Sequence, residues 1–392
     1  MDRRKFLTLT GTFTGGLLVL PDFLYSYSMQ PGLVTGGECV VFLQLNGGND
    51  GLNTFIPYLD DRYYDARRNI AIPKNEVIVS QNGMGFHPTL KGLSQIQQNG
   101  HLAVLQNVGY PHPVRSHFRS REIWQTGSGS DEYINEGWLG RYLDVQCKDH
   151  HNPIGAINID SIDNLALRGF DPNSMTIRDP KVFQSRNVAS DDTISLSGNP
   201  QLDFVRRLAG SVSEGADDVQ KAIANAPQPD ASYPKNPFGK NLEWIAKLIK
   251  GKLNSRVYYT SIGGFDTHDT QIPLHRNALK MVDDGVFSFY QDMKSAGLLS
   301  QITLVIFSEF GRRVHDNGRG TDHGTAAPMF VIGGNNSGKI IGNNPDLADL
   351  DNGDLKHSID FRSVYSAILK QKLQFDASKI GIDNASVKGL FE

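Results

Sequence analysis

The stretch Arg256–Gln271, "RVYYTSIGGFDTHDTQ", decides the fold. Its opening, "RVYYTS", is a short β-branched and aromatic run of the kind found in a buried strand. The run ends in Gly263 and Gly264, and the chain then presents Asp266, His268 and Asp269. A turn needs the glycines, but it does not need a histidine between two carboxylates. In an extended backbone alternate side chains share a side, so Asp266 and His268 are expected to point the same way.

Working outward, the same design recurs. "ECVVFLQLNGGNDGLN" gives an apolar strand from about Cys39 to Leu45 that ends in glycines and Asp50. "HLAVLQNVGY" from His101, "GAINID" from Gly155, "QITLVIFSEFG" from Gln301 and "APMFVIGG" near Ala327 continue the series. These are unbroken apolar runs rich in Val and Ile, as parallel strands buried on both faces require. Helical segments lie between them: "PTLKGLSQIQQNG" with Gly100 as its stop, "NLEWIAKLIKGKL", and "LHRNALKMVDDGVFSFYQDMKSAGLL". "PQLDFVRRLAGSVSEGADDVQKAIANA" is expected to form one broken helix or two. Alternating strands and helices predict an α/β fold, a three-layer sandwich with a mostly parallel central sheet. The irregular stretch from Gly169 and the proline-rich "NAPQPDASYPKNP" predict a cap or insertion at about residues 168–238 of one domain spanning 38–392.

In open α/β sheets ligands bind beyond the carboxyl ends of the strands. Polar residues collect at those ends here. Asp50 follows the first strand, and His112, Arg115, Ser116, His117 and Arg119 follow the second. Asp266 and His268 follow "YYTS", and Glu309, Arg312 and Arg313 follow "LVIFS". Asp322 and His323, in "GTDHGTAAP", stand just before the last strand, where Gly320 and Gly324 permit a turn. All five groups are expected on one rim. Carboxylates and imidazoles are the usual ligands of borderline and hard divalent ions, so Asp50, Asp266, His268, Glu309, Asp322 and His323 are the candidate ligands of one or two ions, zinc, manganese or calcium. Plainer roles exist for each: Asp50 as a turn residue or N-cap, Glu309 as the partner of Arg312 or Arg313.

A chain of 392 residues buries a large core, and its net charge of −3 without a basic stripe gives no footprint for nucleic acid. Cys39 and Cys147 exclude a disulfide scaffold or a cysteine zinc cluster; two buried thiols are expected, with a single bridge as the alternative. "MDRRKFLTLTGTFTGGLLVLP" pairs Arg3 and Arg4 with Phe6 and Leu7 ahead of a weakly apolar run. That pattern predicts a twin-arginine export segment over residues 1–30 and a periplasmic or secreted protein. The run is too short and too polar to span a bilayer, so membrane contact is expected only through an uncleaved segment.

The combination of "RRKFL", "LNGGNDGLN", "SHFRSREIW", "GGFDTHDTQ", "SEFGRR" and "TDHGTAAPMFVIGG" resembles twin-arginine-exported bacterial proteins within the alkaline phosphatase and sulfatase superfamily. The resemblance implies an alkaline-phosphatase-like sheet with metal ions at the strand ends. It implies a hydrolase or transferase acting on phosphate or sulfate esters, with a small anionic ester or a decorated polymer as substrate. Asp50 then resembles the first-strand metal ligand, Ser116 the nucleophile, and Asp266 with His268 an Asp/His pair. His323 resembles either the Asp-His motif itself or the later histidine that precedes a final strand. Arg115, Arg119 or Arg312 would neutralise the anion. Two departures stand out: the Asp-to-His gap is two where the superfamily has four, and Glu309-Phe310 stands where it has Asp-His. The other reading is a catalytically degenerate relative that binds or assembles with a second exported protein. A cofactor-free serine hydrolase lacks its "GxSxG" signature around Ser116.

Overall fold

The computed structural model describes residues 38–148, 151–180 and 215–391. The expected export segment and the middle of the expected cap, residues 181–214 with all of "PQLDFVRRLAG", lie outside these residues.

Among the described residues, nine strands form one central sheet. In chain order they are β1 (Cys39–Leu45), β2 (Leu102–Gly109), β3 (Ala156–Asn158), β4 (Ser174–Thr176), β5 (Val257–Ile262), β6 (Ile302–Ser308), β7 (Ala327–Gly333), β8 (Ile340–Ile341) and β9 (Ile359–Asp360). Across the sheet they run β8-β2-β7-β6-β1-β5-β3-β4, with β9 also paired to β2. β1 lies at the middle, its Leu43 in register with Thr260 of β5 and Ile306 of β6. Every residue of β1 is buried, which is why its sequence is apolar without alternation.

The two faces of β1 feed two cores. Val41, Leu43 and Leu45 join a cluster with α1 (Lys91–Gln98), α4 (Pro237–Lys250) and α5 (Gln271–Ser295). Val40 and Phe42 join another with α2 (His117–Thr126), α3 (Trp138–Gln146) and α6 (Phe361–Gln371). Helices on both faces of one sheet make the expected three layers. A third, smaller core gathers Leu52, Ile56, Tyr63, Ile72 and Val77 around Val314 and Leu355. It fixes the segment that carries Arg67.

One strand departs from the parallel series. β7 runs antiparallel to both β2 and β6, while the other pairings in the sheet are parallel. A buried apolar run has no direction written in it, so "APMFVIGG" fits either sense. Consecutive antiparallel strands can close through a connection that folds back on itself. Residues 309–326 do so, with Gly311 N–H donating to the Thr325 carbonyl at 2.6 Å and Arg313 N–H to that of Asp322 at 3.0 Å. The reversal matters: residues before a parallel strand would lie on the far edge, whereas those before β7 lie beside the carboxyl ends of β1, β5 and β6.

The stretch expected as part of a cap contributes β4, which pairs in parallel with β3 at the sheet edge. Both cysteines are free thiols, Cys39 buried and Cys147 partly so. Among the described residues no helix is long and apolar enough to cross a membrane.

Candidate metal centre

Asp266 stands at the centre of the rim, four residues past the end of β5. Its side chain is about half exposed, and four groups reach it, three of them from other segments. Arg312 Nη2 donates to Oδ1 at 2.7 Å. His268 Nε2 lies 3.0 Å and His323 Nε2 3.3 Å from the same oxygen. His117 Nε2 lies 3.4 Å from Oδ2. Partial burial alone would raise this carboxyl, but the Arg312 hydrogen bond and charge bring it down to about 2.

The three imidazoles share one arrangement. Each places Nδ1 against an acceptor: His117 on Glu309 Oε1 at 3.1 Å, His268 on Asp322 Oδ1 at 3.1 Å, His323 on the Arg115 carbonyl at 2.7 Å. A carboxylate or a carbonyl only accepts, so each Nδ1 carries the proton and each Nε2 of a neutral ring is left with its lone pair. These Nε2 atoms converge. Those of His268 and His323 are 2.9 Å apart, and that of His117 is buried with no hydrogen-bond partner. One ligand atom from each of His117, Asp266 and His323 lies within 4.8 Å of the others. Lone pairs and a carboxylate facing one another repel unless a cation lies between them. Imidazoles oriented through Nδ1 by carboxylate or carbonyl are also how proteins prepare histidine for a metal. The donor set of two or three nitrogens and one carboxylate fits a zinc- or manganese-type ion.

Local sequence explains the convergence. Gly47 and Gly48 take φ of +120° and +76°, values open to glycine, and a Cβ on Gly48 would strike the Phe310 ring at 2.3 Å. Gly320 and Gly324 serve differently from the expected turn. Neither has positive φ, but a Cβ would meet the His268 backbone at 2.6 Å and the Arg312 backbone at 2.4 Å. They are required for close approach. Phe310 packs its ring 5.0 Å from His117 and 4.9 Å from His323, walling the imidazoles on one side.

Glu309 is buried and pairs with neither Arg312 nor Arg313; it accepts from Gly47 N–H at 2.9 Å and orients His117. Asp322 is exposed and orients His268. Asp50 lies elsewhere, beneath the rim. It is 1% exposed, and its Oδ2 takes Arg67 at 2.6 Å and Gln271 at 2.5 Å. Burial alone would raise this carboxyl, yet the Arg67 charge and hydrogen bond, with His275 and Gln271, hold it below the usual range.

The arginines expected to meet a substrate anion are engaged within the protein. Arg115 pairs with Asp354, and Arg119 donates to the carbonyls of Gly129, Ser130 and Glu132. Arg312 is buried, giving hydrogen bonds to the carbonyls of Gly47, Gly48, Phe265 and Thr321 as well as to Asp266. A guanidinium flanked by strand ends is as readily a brace as an anion clamp, and sequence alone does not separate the two.

Ser116 is exposed at the N-cap of α2 and makes no cap bond. Its neighbours are both tied to the cluster, Arg115 through its carbonyl to His323 and His117 through Asp266. His117 counted among the polar residues after β2 but carried no ligand role in the sequence reading. The available signal was its place one residue past the candidate nucleophile, at the start of a helix.

Comparison with known proteins gives a family and several distant structural likenesses. No curated relative matches the chain. The PsFucS1 sulfatase from Pseudoalteromonas sp. is similar at 10% identity, over 94% of this chain and 75% of that one, with a TM-score of 0.40. The lipoteichoic acid synthase LtaP from Listeria monocytogenes is similar at 11% identity, over 79% and 67%, with a TM-score of 0.38. The phosphonate monoester hydrolase of Agrobacterium radiobacter is similar at 8% identity, over 80% and 72%, also with a TM-score of 0.38. These are distant likenesses, and the reaction of none of them transfers to this chain. Residues 101–371, which carry β2 through α6 and every imidazole of the cluster, match the family described as "Protein of unknown function (DUF1501)", and the chain belongs to that family.

Proposed function

We propose that the protein is an exported, metal-dependent hydrolase or transferase of phosphate or sulfate esters, with Ser116 as nucleophile. One observation carries the reading: three imidazoles, each with Nδ1 held by an acceptor, turn Nε2 toward a single carboxylate. His117, His268, His323 and Asp266 would hold the ion. A divalent ion bound there supplies Lewis acidity toward a non-bridging oxygen of the ester.

The remaining work belongs to the chain. Ser116 Oγ forms the bond to phosphorus or sulfur as the ester's alcohol leaves, and water or an acceptor alcohol later takes the group. The positive end of α2, free of a side-chain cap, favours an anion beside Ser116. Arg312 braces Asp266 from beneath, so the carboxylate keeps its place as charge develops above it. The substrate class is a small anionic ester or an ester-decorated polymer. The "RRKFL" segment supports twin-arginine export to the periplasm or beyond.

The second reading, a non-catalytic relative that binds or assembles with another exported protein, is favoured by one observation. The side chains of Arg115, Arg119 and Arg312 are all committed to internal partners. Hydrolysis of 4-nitrophenyl phosphate and sulfate by metal-loaded protein separates the two. We expect turnover that falls about 10³-fold or more in Ser116→Ala. Equal turnover in that variant rejects Ser116 as nucleophile, and no turnover with any of zinc, manganese or calcium favours the second reading.

A further inference from the structure

We infer that the centre holds a single divalent ion and that two internal guanidinium groups stand where a second ion would be needed. This rests on the metal reading above and narrows it.

The rim has an upper half, made of the imidazoles and Asp266, and a lower half around Asp50. The lower half is rich in oxygen: the carbonyls of Gly47, Gly48, Phe265 and Thr321, together with Asp266 Oδ1, converge on one point. Oxygen sets of this kind suit a hard cation. Here the point is taken by the Arg312 guanidinium, 2% exposed, whose Nε, Nη1 and Nη2 serve all five acceptors. The other carboxylate of that half, Asp50, is neutralised by Arg67, itself fully buried. Asp50 Oδ1 is left buried without a hydrogen-bond partner, but an ion reaching it would face the two buried guanidinium charges of Arg67 and Arg312.

Charge leads to the same answer. The connected groups include four carboxylates, Asp50, Asp266, Glu309 and Asp322, and two guanidiniums, Arg67 and Arg312. With neutral imidazoles the sum is −4 + 2 = −2, which one divalent ion balances. Two ions would leave the cluster at +2, partly buried and repelling itself. The residues that break the superfamily pattern thus have a physical sense. Glu309 supplies charge and orientation through His117, Phe310 supplies a wall, and arginine supplies the second positive centre.

Cobalt(II) titration of the full, chelator-stripped protein tests this through the visible absorption of the bound ion. The expected result is a break at one equivalent, with the band lost in the double variant H268A/H323A. Mass-spectrometric metal analysis after zinc loading and desalting is expected to give one ion per chain. Two equivalents by either method overturn the single-ion inference while leaving a metal-dependent reading intact. One equivalent that survives in a folded H268A/H323A protein also overturns it, because the ion then lies elsewhere. No binding at all overturns both the inference and the metal reading on which it rests.

Discussion

Asp266 and Asp50 begin alike. Each follows a buried parallel strand and a pair of glycines, and each was a ligand candidate for the same chemical reason. Asp266 ends half exposed, ringed by three imidazoles. Asp50 ends 1% exposed, bonded to Arg67 and Gln271. The strand and the glycines set where an aspartate goes; a third segment decides what it meets. For Asp266 that segment is the β6–β7 connection, which brings His323. For Asp50 it is the small core of Leu52, Ile56 and Tyr63, which brings Arg67.

The buried side of this contrast is expected to be the more sensitive to acid. Burial lowers His275 to about 4 and His87 to about 3. The unfolded chain binds these protons near pH 6.5 while the folded chain refuses them, so in that window the unfolded state holds more protons and stability rises with pH. Their contribution is complete above pH 6.5 and is lost as pH falls toward 4 and then 3. Urea unfolding between pH 7 and 5 should show a slope of up to about 1.4 kcal/mol per pH unit for each histidine. A flat profile would mean that both rings titrate in the fold as they do in the unfolded chain.

Arg67→Met breaks the same region by charge. It leaves Asp50 buried without a counter-ion, and breaking such a pair from one side costs about 3–5 kcal/mol. The double variant Asp50→Asn with Arg67→Met should recover a large part of that loss in urea unfolding. Equal loss in both would show that Arg67 matters by packing rather than by charge.

How much of this was legible in the sequence follows from the same two aspartates. The strands were legible because burial on both faces leaves only apolar runs such as "CVVFLQL" and "ITLVIFS". The rim was legible because acids and imidazoles gathered where those runs stop. The direction of β7 was not, since an apolar run packs equally well in either sense. The fate of Asp50 was not, because its partner sits in a loop 17 residues on with nothing local to link them. The arginines of "SEFGRR" carried charge but not direction, and Arg312 turned inward to the carbonyls of the glycine turn.

Gly320 probes the approach of the two segments at the rim. A Cβ there would meet the His268 carbonyl carbon at 2.6 Å, backbone against side chain with no rotamer to yield. Gly320→Ala should therefore cost about 1–3 kcal/mol and displace His268. Gly263, with nothing within 4 Å of a Cβ, is the control; Gly263→Ala should stay within about 0.5 kcal/mol. Equal effects would show that flexibility, not close approach, is what the glycines provide.

The smallest effect should come from Asp322, which is exposed and touches the centre only through His268 Nδ1. Its loss should barely change stability, because exposed ion pairs contribute about 0–1 kcal/mol. It should change the metal. Removing an acceptor that orients a ligating imidazole typically lowers affinity about 10–100-fold, and an exposed site belongs at the low end. Asp322→Ala is expected to weaken cobalt binding about tenfold, or about 1.4 kcal/mol. Asp322→Asn keeps an oxygen that can accept from Nδ1 but removes the charge. If it binds cobalt like the parent, orientation is what Asp322 supplies; if it binds like the alanine variant, charge is. Either result sharpens the contrast with Asp50, whose charge is spent on an arginine.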